Sequence, residues 1–464
     1  MTHARTLCAL LLLAPSLLPA QGSKAPDSKP PDDRFKADLL LIVAHPDDEA
    51  AVYPYLAKAV FDDHKRVAVV FATDGGGGGN AVAAERGSAL GAVRQIEVRR
   101  ALGAIGIENL WFLGNRDVAT HDVLTTLGSW NHGQTVADMV RLIRLTRPDV
   151  ILTWLPARVA GENHGGHQAS GVIATEAFDV AGDPSAFPEQ VAAPAHVYER
   201  ALESLRPWQP KKIYYFSDAG HADFMVGKGP HYPVADISPS HGVPYLDFLS
   251  LDLYPHATQG YVQVADEMKK GKTIQPPKDW LYEDTGTLDT YLILGKSLVG
   301  ADSTADVFSG VSTGGLSFRA HRGYEVPTPD GLTLRPGGSW AFYETFARAH
   351  NLNRVATLLP PELEVSGGTP FHVPLMIRNG TGSAHDVALS VVLPRGWSDE
   401  TGYATYSVLG QNYRDIVAVV NAPHVTKPVW EELTFRATSE GMAVSSVTIR
   451  VHLLPHKGIQ EFEQ

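Results

Sequence analysis

The clearest pattern in the chain is an apolar run that ends abruptly in charged residues. Residues 39–43 read Leu-Leu-Leu-Ile-Val, and His45, Asp47, Asp48 and Glu49 follow almost at once. An unbroken apolar run of this length is typical of a strand that is covered on both faces, as in a parallel sheet. The reactive side chains therefore come at the carboxyl end of a buried strand, where open α/β sheets bind their ligands.

Similar apolar runs alternate with helical patterns through the first half of the chain. Strands are predicted at 67–72, 110–113, 150–154 and 212–216, and helices at 50–60, 89–102, 136–145 and 168–178. Strand, helix and strand at this spacing form right-handed parallel units. We therefore predict an α/β fold with a Rossmann-like, mostly parallel sheet in a domain over residues 37–350, with its core at 37–260. Residues 261–350 carry no motif and are predicted to be either an insertion that shapes a cleft or a strand pair that closes this domain.

Near residue 359 the pattern changes to alternating apolar and polar positions separated by turns. The alternation is found at 371–377, 387–393, 433–438 and 444–453. Asn379-Gly380, between two of these segments, is a strong signal for a tight hairpin. The pattern predicts an all-β sandwich over residues 356–456. Pro394-Arg395-Gly396-Trp397 is similar to part of an Ig-like module often appended to carbohydrate-active enzymes. That resemblance implies an Ig-like sandwich that is either a spacer or a sugar-binding module.

The N-terminal residues have the pattern of a secretory signal peptide. Residues 1–20 contain Arg5, a leucine run at 10–13 and the small residue Ala20. The apolar run is too short to cross a bilayer comfortably, so a cleaved signal is predicted, with an uncleaved anchor as the alternative. Residues 21–36 are rich in Pro, Lys, Asp and Ser, which predicts a disordered linker. A signal peptide implies a secreted or periplasmic protein.

Composition narrows the choice of partners. The chain has 464 residues, of which 44% are hydrophobic, and a formal net charge of −12. A large core is therefore possible, and nucleic acid is excluded as a partner because its phosphates require a basic surface. Cys8, in the predicted signal peptide, is the only cysteine, so the mature chain would have no disulfide framework and no thiolate ligand. No later apolar stretch is long enough for a stable membrane span, and the oligomeric state is left open.

The polar cluster after the first strand suggests a metal site. In a helical turn, His45 and Asp48 would project from one face while Asp47 points elsewhere. Acidic residues also favour helix N-termini, which is an alternative explanation for the carboxylates but not for His45. A second cluster, His164-Gly165-Gly166-His167, adds two imidazoles. A His/Asp site with three protein ligands and an open position suits a hydrolytic zinc centre.

Together these motifs resemble the PIG-L/LmbE-like family of zinc-dependent N-deacetylases and amidases over about residues 37–260. The resemblance rests on Ala44-His45-Pro46-Asp47-Asp48-Glu49, His164-x-x-His167, Arg94-x-x-Glu97, Leu113-Gly114-Asn115-Arg116-Asp117 and Phe187-Pro188-Glu189. Two features depart from the family pattern. Gly165-Gly166 replaces the usual Pro-Asp between the histidines, and the glycines at 75–79 replace the usual Asn-Gly-containing loop.

The resemblance implies a division of roles within the cluster. His45, Asp48 and His167 would bind Zn²⁺ and leave a position for water, whose pKa the metal would lower to roughly 7. Asp47 would act as the general base and His164 would stabilise the oxyanion. The residues alone would also permit Asp47 and Asp48 to exchange roles.

Three further residues are predicted to bind substrate on the same resemblance: Arg94, Asp117 and His256. Each has a simpler alternative. Arg94 could pair with Glu97 on a solvated helix face, and Asp117 could form a loop ion pair with Arg116. His256 could be an ordinary hydrogen-bonded histidine, although the sequence that follows it is similar to a short element found late in the family.

The glycine run at 75–79 is predicted to form a mobile lip beside the site, because glycine carries a large conformational entropy. A phosphate-binding loop is a weaker interpretation, since the run lacks both Gly-Lys-Ser/Thr and GxGxxG followed by a helix. A fixed turn with positive φ angles is a further alternative.

The sequence thus predicts a secreted, zinc-dependent hydrolase that removes N-acetyl groups from N-acetylglucosamine-containing glycans or glycoconjugates. One alternative is a zinc amidase that acts on another small N-acylated substrate. The other is a non-catalytic sugar-binding protein, which the intact set of ligand residues argues against.

Overall fold

The structure is a computed structural model that describes residues 33–161, 164–192, 204–271, 274–300, 302–321, 323–325, 330–402 and 405–456. The predicted signal peptide at 1–20, which includes Cys8, lies outside the described residues, as does most of the predicted linker at 21–36. No helix in the described ranges combines the length and the apolar character that crossing a membrane requires.

Strands and helices alternate through the first half of the chain, as the sequence predicts. The strands are β1 (Leu39–Val43), β2 (Val67–Thr73), β3 (Asn109–Asn115), β4 (Val150–Trp154) and β5 (Lys212–Phe216). The helices are α1 (Tyr53–Phe61), α2 (Gly87–Gly103), α3 (Val123–Ser129), α4 (His132–Thr146) and α5 (Gly165–Val180). The sequence did not predict α3, because it is short and contains two threonines and a glycine. Its first turn is instead stabilised by Asp122, whose side chain accepts a hydrogen bond from the Thr125 N–H.

The next segment completes the same domain. It contains β6 (His231–Tyr232), α6 (Tyr245–Leu253), α7 (Tyr261–Met268), β7 (Thr290–Tyr291) and β8 (Ile293–Ser297). Strand β8 pairs antiparallel with β5, so the six-stranded sheet has the order β3-β2-β1-β4-β5-β8. Of the two predictions for residues 261–350, this favours a segment that closes the domain.

The strand order places a topological switch point between β1 and β4. Both strands run parallel, and the chain continues from β1 towards one edge and from β4 towards the other. A crevice opens at such a point, outside the carboxyl ends of the two strands. The predicted mostly parallel, Rossmann-like α/β sheet is confirmed.

The continuous apolar sequence of β1 follows from its central position. Leu40 and Ile42 pack in the core on one face of the sheet, and Leu39, Leu41 and Val43 pack in the core on the other. All five side chains are completely buried. Since successive residues of a strand point to opposite faces, a strand with a core on each side must be apolar at every position.

The C-terminal part is a β-sandwich. Its elements are β9 (Leu332–Pro336), α8 (Ser339–Ala349), α9 (Asn353–Ala356), β10 (Glu362–Ser366), β11 (Pro370–Asn379), β12 (His385–Val392), β13 (Ser398–Asp399), β14 (Thr405–Val408), β15 (Asn412–Asn421), β16 (Val429–Ser439) and β17 (Met442–Leu454). The two sheets have the orders β10-β17-β16-β12-β14 and β13-β15-β11-β9. Alternate residues of both sheets form one shared core, which confirms a β module at the C-terminal end.

The sandwich begins earlier than the predicted boundary at residue 356. Strand β9 pairs antiparallel with β11, and Leu334 lies in the sandwich core. The chain then returns to the first domain, where Tyr343 and Phe346 of α8 pack into the core below the sheet. Strand β9 is only five residues long and lies far from its partner in sequence, so local periodicity gave no sign of it.

Glu362 joins the two domains. Its side chain is completely buried and its Oε1 accepts a hydrogen bond of 2.9 Å from Arg450. Its Oε2 lies 3.4 Å from His221 Nε2 and accepts a hydrogen bond of 3.3 Å from the Ala160 N–H. Burial would lower the pKa of His221, but Glu362 and Asp223 raise it above its usual value, which favours the charged imidazole.

We expect Glu362→Ala to lower the free energy of unfolding by about 3 kcal/mol, because it removes a buried carboxylate that contacts Arg450, His221 and the Ala160 N–H. Chemical denaturation measures this. Glu364→Ala, in the same strand, is the matched control: Glu364 is exposed and pairs with His452 at 3.0 Å, so its loss should cost less than about 1 kcal/mol. If both variants lower the free energy of unfolding by the same amount, the buried contact of Glu362 stabilises the protein no more than the exposed ion pair of Glu364 does.

Candidate active site

The turn after β1 is organised by the carboxylate of Asp48. Its Oδ2 accepts hydrogen bonds from the Ala44 N–H at 2.8 Å, the His45 N–H at 3.1 Å and the Trp154 indole N–H at 2.7 Å. The residues form a turn followed by a 3-10 helix at Asp48–Val52, and α1 begins only at Tyr53. The predicted helical arrangement of this turn is therefore wrong, although His45 and Asp48 do meet.

The second oxygen of Asp48 faces two histidines. His45 Nδ1 lies 3.4 Å from Asp48 Oδ1, and His167 Nε2 lies 3.2 Å from the same atom. His167 is in the first turn of α5, and its ring stacks on Trp154 with the centroids 4.0 Å apart and the planes at 1°. One ligand atom from each of His45, Asp48 and His167 lies within 4.8 Å of the others. Two imidazoles and a carboxylate that converge in this way fit the donor set of a zinc site.

A second set of residues overlaps the first. His45 Nε2 lies 3.3 Å from Asp117 Oδ1, and the rings of His45 and His164 lie 4.3 Å apart. His45, Asp117 and His164 also offer ligand atoms within 4.8 Å of one another. Both sets use His45, so a single ion beside this ring would be held by one set or the other.

The buried carboxylates of the cluster favour a positive charge beside them. Burial would lower the pKa of His45, but Asp48 and Asp117 raise it to about 9. Burial would likewise lower the pKa of His167, and Asp48 and Asp218 raise it well above its usual value. The positive charge on the rings balances the buried carboxylates, and a bound metal ion would replace these protons.

His164 differs from the other two histidines. Its Nδ1 accepts a hydrogen bond of 3.2 Å from the Gly166 N–H at the start of α5. Burial and the nearby charges of His45 and His167 lower the pKa of His164 to about 3. The ring is therefore neutral, and because Nδ1 is the acceptor, Nε2 carries the proton and is available as a donor.

Asp47 has an unusual backbone conformation. Its φ angle is 128°, in a region of backbone conformation that residues other than glycine rarely occupy. Burial, together with the neighbouring Asp48, raises the pKa of Asp47 to about 6. The Tyr261 hydroxyl donates a hydrogen bond of 3.2 Å to Asp47 Oδ2. Asp47 is thus a carboxylate beside the His/Asp cluster that is not itself part of either ligand set.

A cavity of about 580 Å³ lies over these groups. The residues predicted to act in the site that line it are His45, Asp47, Asp48, Arg94, Asp117, His164 and His167. The segment in which the sequence showed no motif also lines the cavity, through Tyr261, Trp280, Leu281, Tyr282 and Leu288. The volume is within the range typical of sites for small molecules.

Arg94 and Asp117 hold the glycine loop. Arg94 donates hydrogen bonds to the carbonyl oxygens of Gly75 at 2.6 Å and Gly79 at 2.8 Å. The Gly77 N–H donates one of 2.9 Å to Asp117 Oδ2. These contacts favour a fixed loop over the predicted mobile lip. Both side chains still line the cavity, so their contact with substrate stays a prediction.

The structure also corrects the predictions for Glu97 and His256. Glu97 does not pair with Arg94; it accepts hydrogen bonds from Thr258. His256 was predicted to bind substrate directly, but its side chain is completely buried and does not line the cavity. Its nitrogens contact Glu49 and Gln259, each at 3.0 Å. His256 therefore has no surface with which to touch a ligand.

The sequence analysis missed Asp218. It follows β5, lines the cavity, and places Oδ2 3.6 Å from His167 Nδ1. A carboxylate beside the second nitrogen of a metal-binding histidine commonly fixes the tautomer and orientation of the ring. The available signal was its place directly after a parallel strand, at the same edge of the sheet as His45.

The fold and the cluster define a Rossmann-like protein with a His/Asp site at its switch point, and sequence comparison gives the family. Residues 40–178 match the family model described as "PIG-L: GlcNAc-PI de-N-acetylase" and form a domain of that family.

Two curated relatives are described as deacetylases. A 1D-myo-inositol 2-acetamido-2-deoxy-alpha-D-glucopyranoside deacetylase of Catenulispora acidiphila is 28% identical over 38% of this chain and 54% of its own length. One of the same description from Geodermatophilus obscurus is 28% identical over 38% of this chain and 60% of its own length. The similarity thus spans little more than half of each relative.

Among solved structures, the N,N'-diacetylchitobiose deacetylase of Pyrococcus horikoshii aligns with 60% of this chain and 87% of its own, at 14% identity and a TM-score of 0.37. A conserved protein of Thermus thermophilus aligns with 58% of this chain and 100% of its own, at 16% identity and a TM-score of 0.36.

The two overlapping ligand sets are separated by metal analysis of four variants. We expect the wild type to hold about one zinc ion per chain, and His167→Ala to lose it because His167 belongs to the set with Asp48. His164→Ala and Asp117→Asn should retain it, whereas His45→Ala should lose it under either assignment. Loss of metal in His164→Ala with retention in His167→Ala would assign the ion to the other set.

A pair of glycine variants tests whether the loop is fixed. A Cβ at Gly76 would lie 2.5 Å from the Gly87 carbonyl oxygen, whereas one at Gly79 would meet nothing within 4 Å. We expect Gly76→Ala to cost about 1–3 kcal/mol of stability, because the backbone must shift, and Gly79→Ala to melt like the wild type. Thermal melting measures both. If both variants melt like the wild type, the predicted mobile lip is the better description.

Proposed function

We propose that this protein is a zinc-dependent deacetylase that removes the acetyl group from N-acetylglucosamine-containing glycans or glycoconjugates. The observation that carries the proposal is the convergence of His45, Asp48 and His167 beside the separate carboxylate of Asp47, all facing one cavity. The PIG-L match over residues 40–178 and the two GlcNAc-inositol deacetylases among the relatives support the choice of reaction and substrate class.

In this proposal, His45, Asp48 and His167 hold the zinc ion. When bound, zinc would act as a Lewis acid and lower the pKa of water, so that water can attack an amide as a nucleophile near neutral pH. The Asp48 carboxylate is kept in place by two backbone N–H groups and the Trp154 indole. Trp154 also stacks on His167, so one side chain fixes the orientation of two ligands.

Asp47 is the proposed general base. Its carboxylate accepts the proton of the attacking water and returns it to the nitrogen of the leaving amine, which departs as the free amino sugar. A base contributes most when its pKa lies near the working pH, and burial raises the pKa of Asp47 towards that range. Tyr261 restrains the carboxylate through its hydroxyl.

His164 is the proposed oxyanion donor. Its ring is neutral and its Nε2 carries a proton, because Nδ1 accepts from the Gly166 N–H. A donor placed in advance at the developing oxyanion is worth about 3 kcal/mol in other acyl-transfer enzymes. A neutral donor also avoids placing a further positive charge beside the zinc ion that His45 and His167 would hold.

The lining of the cavity combines polar and aromatic side chains, which favours a sugar substrate. It includes Arg94 and Asp117 as well as Trp280 and Tyr282. Hydroxyl groups suit the polar side chains, and the apolar face of a pyranose suits an aromatic ring. We also propose that residues 1–20 direct the protein out of the cytoplasm, which is consistent with a glycan substrate.

One observation supports a second candidate, an amidase for a small substrate with an apolar acyl or amino group. Leu281 and Leu288 also line the cavity, and their side chains offer no hydrogen bonds to a sugar. The two candidates share the His/Asp cluster and the base, and differ only in which lining side chains bind the substrate.

A substrate panel decides between them. We expect release of free amine from N-acetylglucosamine derivatives and disaccharides, and little from N-acyl amino acids of similar size. Asp47→Asn should retain its zinc and lose about 10²- to 10⁴-fold in kcat, because the base is removed and the ligands stay. Activity confined to acyl amino acids would support the amidase, and loss of zinc in Asp47→Asn would mean that Asp47 and Asp48 have exchanged roles.

A further inference from the structure

The strained conformation of Asp47 raises the question of what holds it there. A residue other than glycine at a φ of 128° is held against its own preference, at a cost that surrounding contacts must offset. The Asp47 N–H donates a hydrogen bond of 3.0 Å to Glu49 Oε2, and the carbonyl oxygen of the preceding Pro46 accepts one from the side chain of Gln259. Both polar ends of the peptide group that joins Pro46 to Asp47 are thus held by side chains.

These two contacts belong to one chain of hydrogen bonds. Because the Pro46 oxygen can only accept, the amide of Gln259 must point its nitrogen there and its Oε1 towards His256 Nδ1, 3.0 Å away. His256 Nε2 in turn lies 3.0 Å from Glu49 Oε1. His256 therefore donates through both nitrogens and links Glu49 to Gln259.

The segment that carries His256 and Gln259 is itself anchored. Thr258, between them, donates to Glu97 of α2 at 3.0 Å and 2.6 Å, through its N–H and its hydroxyl. Glu49 and His256 are completely buried. None of Glu49, His256 or Gln259 lines the cavity, so this network acts on the turn without touching a ligand.

We propose that Glu49, His256 and Gln259 are positioning residues that hold the backbone of Asp47 in its strained conformation and so aim its carboxylate at the reacting amide. The inference rests on the proposed role of Asp47 as the base. It assigns a function to a network that links Glu49 to His256 and Gln259, which lie more than 200 residues further along the chain and outside the 40–178 segment that matches the family.

Kinetics of a double-mutant cycle test the proposal. Gln259→Leu removes two hydrogen bonds, to the Pro46 oxygen and to His256, and no charge. His256→Gln removes the link to either Glu49 or Gln259. Each should lower kcat by about 100-fold with little change in KM, because a base displaced by about 1 Å loses that much. In an Asp47→Asn background the same changes should lower kcat further by less than about 3-fold, since their effect passes through Asp47. Full additivity would overturn the proposal.

A matched control is His350→Gln. His350 pairs with Asp179 at 2.7 Å and does not line the cavity. It should keep the wild-type kcat even if it melts at a lower temperature. A fall in kcat as large as that of His256→Gln would show that general destabilisation, and not the aim of Asp47, explains the loss.

A readout without activity keeps the proposal separate from the proposed reaction. Asp47→Gly should melt several degrees above Asp47→Ala, because glycine accepts the positive φ and alanine does not. The gap should shrink when Gln259→Leu is added, since the turn can then relax. If Asp47→Gly and Asp47→Ala melt at the same temperature both with and without Gln259→Leu, the proposal that the network holds the strained turn is overturned. If the two variants differ but the protein is inactive on every substrate, only the proposed deacetylase function is overturned.

Metal content provides the last check. Glu49, Asp252 and His256 also offer ligand atoms within 4.8 Å of one another. We expect His256→Gln to hold as much zinc as the wild type, because His256 contacts none of the proposed ligands. A second metal ion per chain that disappears in His256→Gln would show that the cluster is a cation site and not a positioning network.

Discussion

The buried carboxylate of Asp48 is the interaction on which the site depends. One of its oxygens accepts from two backbone N–H groups and an indole, and the other faces two imidazoles. A carboxylate removed from water needs nearly all of its lone pairs satisfied, and here the satisfaction comes from β1, β4 and α5 at once. The same group therefore closes the turn, fixes the ends of two strands relative to each other, and sets the negative charge that a metal ion would balance.

The side chains around Asp48 have two kinds of role. Groups that face the cavity come mainly from the ends of β1, β3, β4 and β5, where a parallel sheet brings distant residues together. Groups that only support them are buried one layer away. The Glu49–His256–Gln259 network contacts the turn at Asp47 from outside the cavity. Arg94 and Asp117 line the cavity themselves and hold the glycine loop. The rigidity of the site thus comes both from a network behind the turn and from cavity-lining side chains.

The sequence predicted the elements whose formation depends only on residues close by in the chain. The strands, most helices and the cluster at His45 and Asp48 follow from periodicity and from residue types within a few positions. Asp218 was missed because its importance depends on the pairing of β5 beside β4, and β9 because its partner is β11. His256 was predicted near the site, but only its burial distinguishes a supporting residue from one that binds substrate.

The path of the chain between the two domains limits how this protein can change in evolution. Strand β9 enters the sandwich, α8 and α9 return to the first core, and β10 enters the sandwich again. A recombination event at any single point in this region would leave one domain without a strand or without part of its core. The sandwich is therefore not a module that can be gained or lost in one step. Insertions that lengthen its loops remain open to selection, whereas exchange of the whole unit would require two coordinated breaks in the gene.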